Sequence, residues 1–462
     1  MHTTTVNWRQ APPLPNGGTL HFDAATRLAA ASDLGQIAQA VPGAILRPGG
    51  PGDIAAMVRW CAEQGVPVRA RGCEHTDGGQ GLPPAGGLQV DMTTMAALHS
   101  VRPGVADVAA GATIRDVVEA AWQIGYRLTS GPTGYLKLTL GGVLSVGGWS
   151  SVWREGAITD RCVGLEIVTA TGDIVWCSRE ERPELFRAAL GGLGMAGIIT
   201  RAQLALCMVP TMVRTWTINY SNVHHAIADM RTLADRGDVV EMMIQVRHPD
   251  IHTYQLVAST YYDRQSPKPG RVLRGMPAPE QTLDRLYWDH TTEVDQLYAT
   301  AFENGWRATE KPWSDLIIPG RSIDAYVAAT IPEIGPRDLS PTSIGLWFPH
   351  RSDAFGTDTA LRLPTPGGGD GMHWLVDILS DSTGIPTHDV PDWRTRALHR
   401  NRGWYDRAVS MGGTIYPIGA TPLTTEEWRE HIGPQADLDP HGVFQPWASA
   451  PALQWQHGLD VR

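Results

Sequence analysis

At 462 residues the chain is too long for one ordinary hydrophobic core, so two domains are expected. Its 42% hydrophobic and 19% charged content is that of a globular protein, and a net charge of −10 excludes the basic stripe that a nucleic-acid binder needs. No apolar run approaches the roughly 18 residues that a membrane span requires. The five cysteines include no CxxC pair, which argues against a zinc site or a disulfide framework. Met1 to Gly18 shows no signal-peptide pattern, so a cytoplasmic location is the expectation.

A short helical pattern leads into a strand at Ala44–Pro48. Asp53 to Gln64 repeats Ile54, Met57, Val58 and Cys61 at helical spacing, with Asp53 as the expected N-cap. Val66 to Val68 then runs into Arg71-Gly72-Cys73-Glu74-His75-Thr76-Asp77-Gly78-Gly79-Gln80. A strand ending in a glycine-bounded polar loop gathers backbone N–H groups at one point and suits an anion such as phosphate. His75 inside it reads as a ligand, a base, a covalent attachment point or an idle turn histidine. Gly87–Met92 and Val108–Ala112 read as strands, and Thr113–Ile124 as a helix.

A second glycine centre is Leu138–Gly148, with Gly141, Gly142, Gly147 and Gly148. It suits close passage over a pyrophosphate or a ring, or else a buried hairpin or bulge. Gly164–Trp176 is strand, turn and strand, and Glu184–Leu190 a helix. Gly191–Thr200 is a third glycine centre leading into a strand through Ala205. No GxGxxG follows a first strand, so a Rossmann site is unsupported.

After Pro210 glycine thins and aromatics rise. Thr215–Tyr220, Val239–Val246, Tyr254–Tyr262, Ser343–Pro349 and Met372–Leu379 read as strands. Val223–Ala234, Ile323–Ala329, Asp392–Val409 and Thr424–His431 read as helices. Residues 264–285 and 364–370 read as loops. The fold class is α+β with antiparallel pairing in the second half.

Taken in order, these segments resemble the vanillyl-alcohol oxidase family of PCMH-type flavoproteins, and within it the cytokinin dehydrogenases. Arg71–Gln80 is similar to that group's Arg-Gly-x-Gly-His-Ser-x-x-Gly-Gln. Thr139–Ser145 is similar to its Thr-x-Gly-Gly-Thr-Leu-Ser, and Gly191–Arg201 to its Gly-Gly-Leu-Gly-x-x-Gly-Ile-Ile-Thr-Arg. Further likenesses are Tyr254–Asp263, Lys311–Pro319, Glu426–Gly433 and Leu438–Pro440. They span about residues 28 to 447.

The resemblance implies an FAD-binding domain over 1–208, a substrate domain over 209–420 and a C-terminal segment, 421–462, returning to the first. It implies FAD bound covalently through His75 to the flavin 8α-methyl. No cysteine stands in Gly131–Tyr135, so a single link is expected. The implied cofactor-binding residues are Arg71, Gly72, Cys73, Glu74, His75, Thr76 and Gln80 in the first loop. Thr139, Gly141, Gly142, Ser145 and Gly148 come from the second, and Ile198 and Ile199 from the third. Glu74 replaces a glycine of the pattern, at a cost if that position needs positive φ.

The implied activity is an oxidase or dehydrogenase moving a hydride from a small organic substrate, in specialised metabolism, with O2 a candidate acceptor. The group's catalytic aspartate falls on Gly134, which has no side chain. Glu241 matches a substrate-entrance glutamate and Trp313 a pocket tryptophan; their bland readings are a solvated strand-end residue and a core residue. Glu241, Asp315 and Tyr135 are the candidates for a relocated base. Two other readings stay open: a cytokinin dehydrogenase with a moved base, and a flavin-containing non-redox cyclase.

Overall fold

The computed structural model describes residues 6–444, apart from 132–133, 248–249, 251, 336–337, 341, 366–369 and 433–437. Pro132, Thr133, the glycines 367–369, Gly433 and the stretch beyond 444, all part of the readings above, lie outside the described residues. Among the described residues, no helix is long and apolar enough to cross a membrane.

The first 208 residues build two sheets. In the four-stranded one, Val68–Arg71 and Ala44–Arg47 flank Leu88–Asp91 in parallel, and Thr19–His21 closes the edge. The helix Pro51–Gln64 buries Ile54, Met57, Val58 and Cys61 in the core that the two sheets share. The expected cap is corrected here: Gly50 is the N-cap and Pro51 opens the helix. Proline is suited to that first turn because its missing N–H would be unpaired anyway. Asp53 lies inside the helix, and its carboxylate accepts from the backbone N–H groups of Asn16, Gly18 and Gly49 at 2.6–2.9 Å.

The second sheet is centred on the long strand Ile198–Met208. It pairs with Val105–Ala109, Cys162–Val168 and Tyr126–Leu128. The second glycine centre is neither hairpin nor bulge: Leu140–Val146 is a short helix after Thr139. Its small residues are required by packing, since a Cβ on Gly141 would sit 2.9 Å from the Ala110 Cβ.

From Met212 onward the chain forms one eight-stranded sheet with every pairing antiparallel. Period-two alternation gives it two faces. Met242, Ile244, Val246, Trp374, Val376 and Ile378 join a core with the helices Val223–Arg236 and Ile323–Thr330. The opposite face looks toward the glycine loops. Part of the expected loop 264–285 is the edge strand Gln281–Leu286. It runs directly into the helix Tyr287–Glu303. Val443 and Phe444 come back to the first sheet, where the Val68 N–H donates to the Val443 carbonyl at 2.9 Å and Phe444 is buried in the first core.

Candidate active site

The three glycine centres, far apart in sequence, are joined by buried hydrogen bonds. Arg69, at the middle of the strand Val68–Arg71, donates to the carbonyls of Gln80 (2.7 Å), Leu193 (2.8 Å) and Phe444 (3.2 Å). One guanidinium thus ties the first loop, the third loop and the returning tail, using its fixed fork of donors. Leu193 N–H donates to the Ser145 carbonyl at 2.8 Å, which links the third loop to the second. Gln80 Nε2 donates to the Gly419 carbonyl at 3.0 Å, and the Asp77 N–H to that of Ile418 at 2.9 Å. The Tyr416 hydroxyl accepts from the Gly148 and Trp149 N–H groups at 3.0 and 3.2 Å. The loops are therefore anchored on the second sheet domain as well as on each other.

Between the loops and the open face of the eight-stranded sheet lies a cavity of about 580 Å³. Arg71, Gly72, Cys73, Glu74, Thr76 and Gln80 line it beside His75. So do Thr139, Gly141, Gly142, Ser145, Gly148, Ile198 and Ile199. At Gly72 the first loop lies against the second: a Cβ there would stand 1.9 Å from the Thr139 side-chain Oγ1. Glu74 does adopt the left-handed conformation, φ +68. Its carboxylate is turned onto cations, at 2.6 Å from both Arg71 and Arg307.

His75 is half-buried and sits in an aromatic stack. Its ring centroid lies 5.5 Å from Tyr135, 5.6 Å from Tyr298 and 5.6 Å from Trp313. Tyr135 and Tyr298 stack at 4.3 Å with 13° between their planes. Desolvation pushes the imidazole down to about 4, helped by the nearby charges of Lys311 and Arg307. At neutral pH the ring is uncharged, and its Nε2 is buried with no hydrogen-bond partner.

The sheet supplies the opposite wall. Register places Gln245, Leu346, Asp377 and Asp315 side by side in one row. Trp313, Asp315 and Tyr135 line the cavity. Trp313 is 2% exposed and Asp315 fully buried.

A family model described as an FAD binding domain matches residues 42–178. Cytokinin dehydrogenase 4 of Oryza sativa subsp. japonica is 38% identical over 462 residues, covering 89% of this chain and 85% of that protein. An uncharacterized oxidoreductase of the fasciation locus of Rhodococcoides fascians is 28% identical over 446 residues, covering 93% and 98%. The chain belongs to the PCMH-type FAD-dependent oxidoreductases, the family of the cytokinin dehydrogenases. A crystal structure of 6-hydroxy-D-nicotine oxidase from Arthrobacter nicotinovorans shares the fold, with a TM-score of 0.68 at 21% identity over 94% of this chain and 98% of that one. The protein is accordingly an FAD-dependent oxidoreductase that acts on a small molecule.

The residues present fit FAD. The cradle at Gly72 and Gly148 admits no Cβ, since one on Gly148 would meet Ile158 Cγ2 at 2.1 Å. The His75 Nε2 is a buried polar atom still open to a bond.

Glu241, matched by resemblance to a substrate-entrance glutamate, stands apart from the other expected residues. Glu241 does not line the cavity. It opens the strand Glu241–Arg247 on the same face as the cavity-lining Met243, Gln245 and Arg247, one step beyond the end of their row. Its carboxylate accepts from the Tyr261 hydroxyl at 2.6 Å and pairs with His290 Nε2 at 2.6 Å, both partners 15% exposed. Burial alone would raise the Glu241 pKa, but the charge and hydrogen bond of His290, the Tyr261 hydroxyl and the Arg127 charge together outweigh it and hold the carboxyl below the usual range. Glu241 belongs to a part-buried ion pair in which the strand packs on the helix Tyr287–Glu303. Gly134 lines the cavity with φ +88, and the nearest atom to a Cβ there is Val294 Cγ1 at 3.4 Å.

The helix Tyr287–Glu303, absent from the sequence expectations, brings Val294, Leu297, Tyr298 and Ala301 to the cavity. Their i, i+3, i+4, i+7 spacing was the available signal. Asp377 was also missed. It sits in the expected strand Met372–Leu379, and alternation within that strand puts it on the face opposite Trp374 and Val376.

Proposed function

We propose that this oxidoreductase carries FAD covalently through His75 and oxidises a small organic substrate held between the glycine loops and the sheet face. The observation that carries the reading is the uncharged His75 imidazole, stacked among aromatics in the cavity wall with Nε2 unpartnered. A buried polar atom without a partner costs about 1–3 kcal/mol unless something bonds to it. FAD, when bound, supplies the two-electron acceptor. The chain's own residues do the rest. The three loops, stitched by Arg69, hold the cofactor against the second domain. Tyr135, Tyr298 and Trp313 fix the imidazole and keep water from it. The row Gln245, Leu346 and Asp377 bounds the space left for substrate.

Gly134 separates this enzyme from its relatives named cytokinin dehydrogenase. It stands where the family pattern has its catalytic aspartate, so the proton acceptor is another group and the substrate is a different one. Acid precipitation of the purified protein tests the linkage. Flavin colour should stay in the wild-type pellet and move to the supernatant in His75→Ala; free flavin from wild type would sink the covalent reading. Anaerobic mixing with isopentenyladenine should leave the flavin yellow, and rapid bleaching would instead favour a cytokinin dehydrogenase with a moved base.

A further inference from the structure

We propose that Asp315 and Asp377 form a proton-sharing carboxyl pair that takes up the proton released when substrate is oxidised, the role for which Gly134 has no side chain. The proposal rests on the flavin-dependent oxidation argued above. The two residues are directly opposed on the antiparallel strands Ser314–Pro319 and Met372–Leu379. Opposed side chains of an antiparallel pair have Cβ atoms about 4.5–5.5 Å apart, and like charges so placed repel.

Burial sharpens the conflict. Asp315 is fully buried and Asp377 is 6% exposed. Both oxygens of Asp315 and the Oδ1 of Asp377 are buried without a hydrogen-bond donor. Among the described residues neither carboxyl has an arginine or lysine ion pair, and the nearby Lys311 ammonium is spent on the carbonyls of Leu34 and Thr309. The titratable groups that feel the pair's charge are the Tyr416 and Tyr298 hydroxyls and the Asp77 carboxyl, none of them a cation. Two adjacent carboxyls in so dry a place cannot both ionise, and a shared proton is the low-energy state. Desolvation raises both groups; the Asp315 charge and hydrogen bond raise Asp377 further, while the hydrogen bond to Asp377 draws Asp315 partly back, the asymmetry of a shared proton.

Both residues line the same cavity as His75 and the glycine loops. Gly419 makes the room, since a Cβ there would lie 2.3 Å from Asp315 Oδ2. The pair therefore offers the cavity one ionised oxygen and one acidic proton. When an H–X–C–H unit of the substrate becomes X=C, the C–H bond breaks and its hydrogen and electron pair leave for FAD, the acceptor of the established activity. The X–H electron pair becomes the new C=X bond. The X–H proton goes to the ionised oxygen, and the pair passes from one proton to two.

Infrared spectra of the holoenzyme at pH 7, oxidised and then photoreduced, test this without a substrate. The oxidised wild type should show a protonated-carboxyl band that shifts in heavy water and is lost in Asp315→Asn and in Asp377→Asn. Asp77 is also raised, so only a band lost in these variants belongs to the pair. Photoreduction adds negative charge at the flavin and should make a second carboxyl band grow, with one additional proton taken up per flavin relative to either variant. The proposal is overturned if neither variant loses a band, or if the band is untouched by reduction, which would make the pair merely structural. If the variants do not fold, wild type labelled with carboxyl-13C aspartate gives the same comparison: an isotope-shifted band that grows on reduction supports the pair, and none overturns it. A wild type without flavin would already have failed in the visible spectrum, and that failure belongs to the preceding reading.

Discussion

Glu241→Gln separates a structural ion pair from a catalytic base. Glu241 and His290 meet at 2.6 Å with 15% exposure on each side. Removing one member of a fully buried pair costs about 3–5 kcal/mol, and the residual exposure here brings this below that range, to about 2–3 kcal/mol. The pH dependence follows from the directions of the shifts. His290 is desolvated, which lowers its pKa, but the charge and hydrogen bond of Glu241 together outweigh this and raise it above 6.5. Its stabilisation is fully present below about 6.5 and is lost as pH rises through the raised folded value. Glu241 is held below 4.5 despite its burial, so its contribution is present above about 4.5 and lost as pH falls through the lowered folded value. Both members contribute fully between about pH 4.5 and 6.5. Urea melts of wild type and Glu241→Gln at pH 6 and pH 9 should show the full penalty at pH 6 and less than half of it at pH 9. The flavin should reduce at an unchanged rate. Equal penalties at the two pH values, or a large fall in flavin reduction without loss of stability, would refute this account of Glu241.

Gly72→Ala should lose flavin and melt lower, because its methyl would stand 1.9 Å from Thr139 Oγ1; overpacking of this kind costs about 1–3 kcal/mol. Adding Thr139→Ala should restore flavin content, measured by the ratio of visible to protein absorbance, and no recovery would show that another contact is limiting. Gly134→Asp should cost about 1–2 kcal/mol from the left-handed backbone alone, read by thermal melting; a variant as stable as wild type would mean that the loop holds a different conformation. Glu74→Gly should relieve strain of roughly 1 kcal/mol while losing the contacts to Arg71 and Arg307. A melting point close to wild type is expected, and a large drop would show that the ion pairs dominate.

Much of the fold was legible locally. The strands Val68–Arg71, Tyr254–Tyr262 and Met372–Leu379 stand where alternation and flanking breakers put them. The three glycine centres could be read as one cofactor site through their resemblance to a family. Local spacing failed where burial was set by distant chain. Asp53 looked like a cap because it precedes an apolar repeat, yet Gly50 and Pro51 start the helix and Asp53 serves Asn16 and Gly49. Tyr287–Glu303 hid behind mixed polarity, since one side of it faces a cavity and not a core.

The sequence by itself determined the cofactor loop around His75 and the missing side chain at Gly134, because backbone approach and residue identity are local properties. The tertiary structure alone decided what answers that absence. Asp315 and Asp377 lie 62 positions apart, and only the register of two antiparallel strands places their carboxyls face to face. Glu241, a substrate-entrance candidate by resemblance, is paired with His290 on a helix that local patterns had not revealed. Whether a carboxylate becomes a catalyst or half of an ion pair depends on which charges and how much water surround it, and the folded chain sets both.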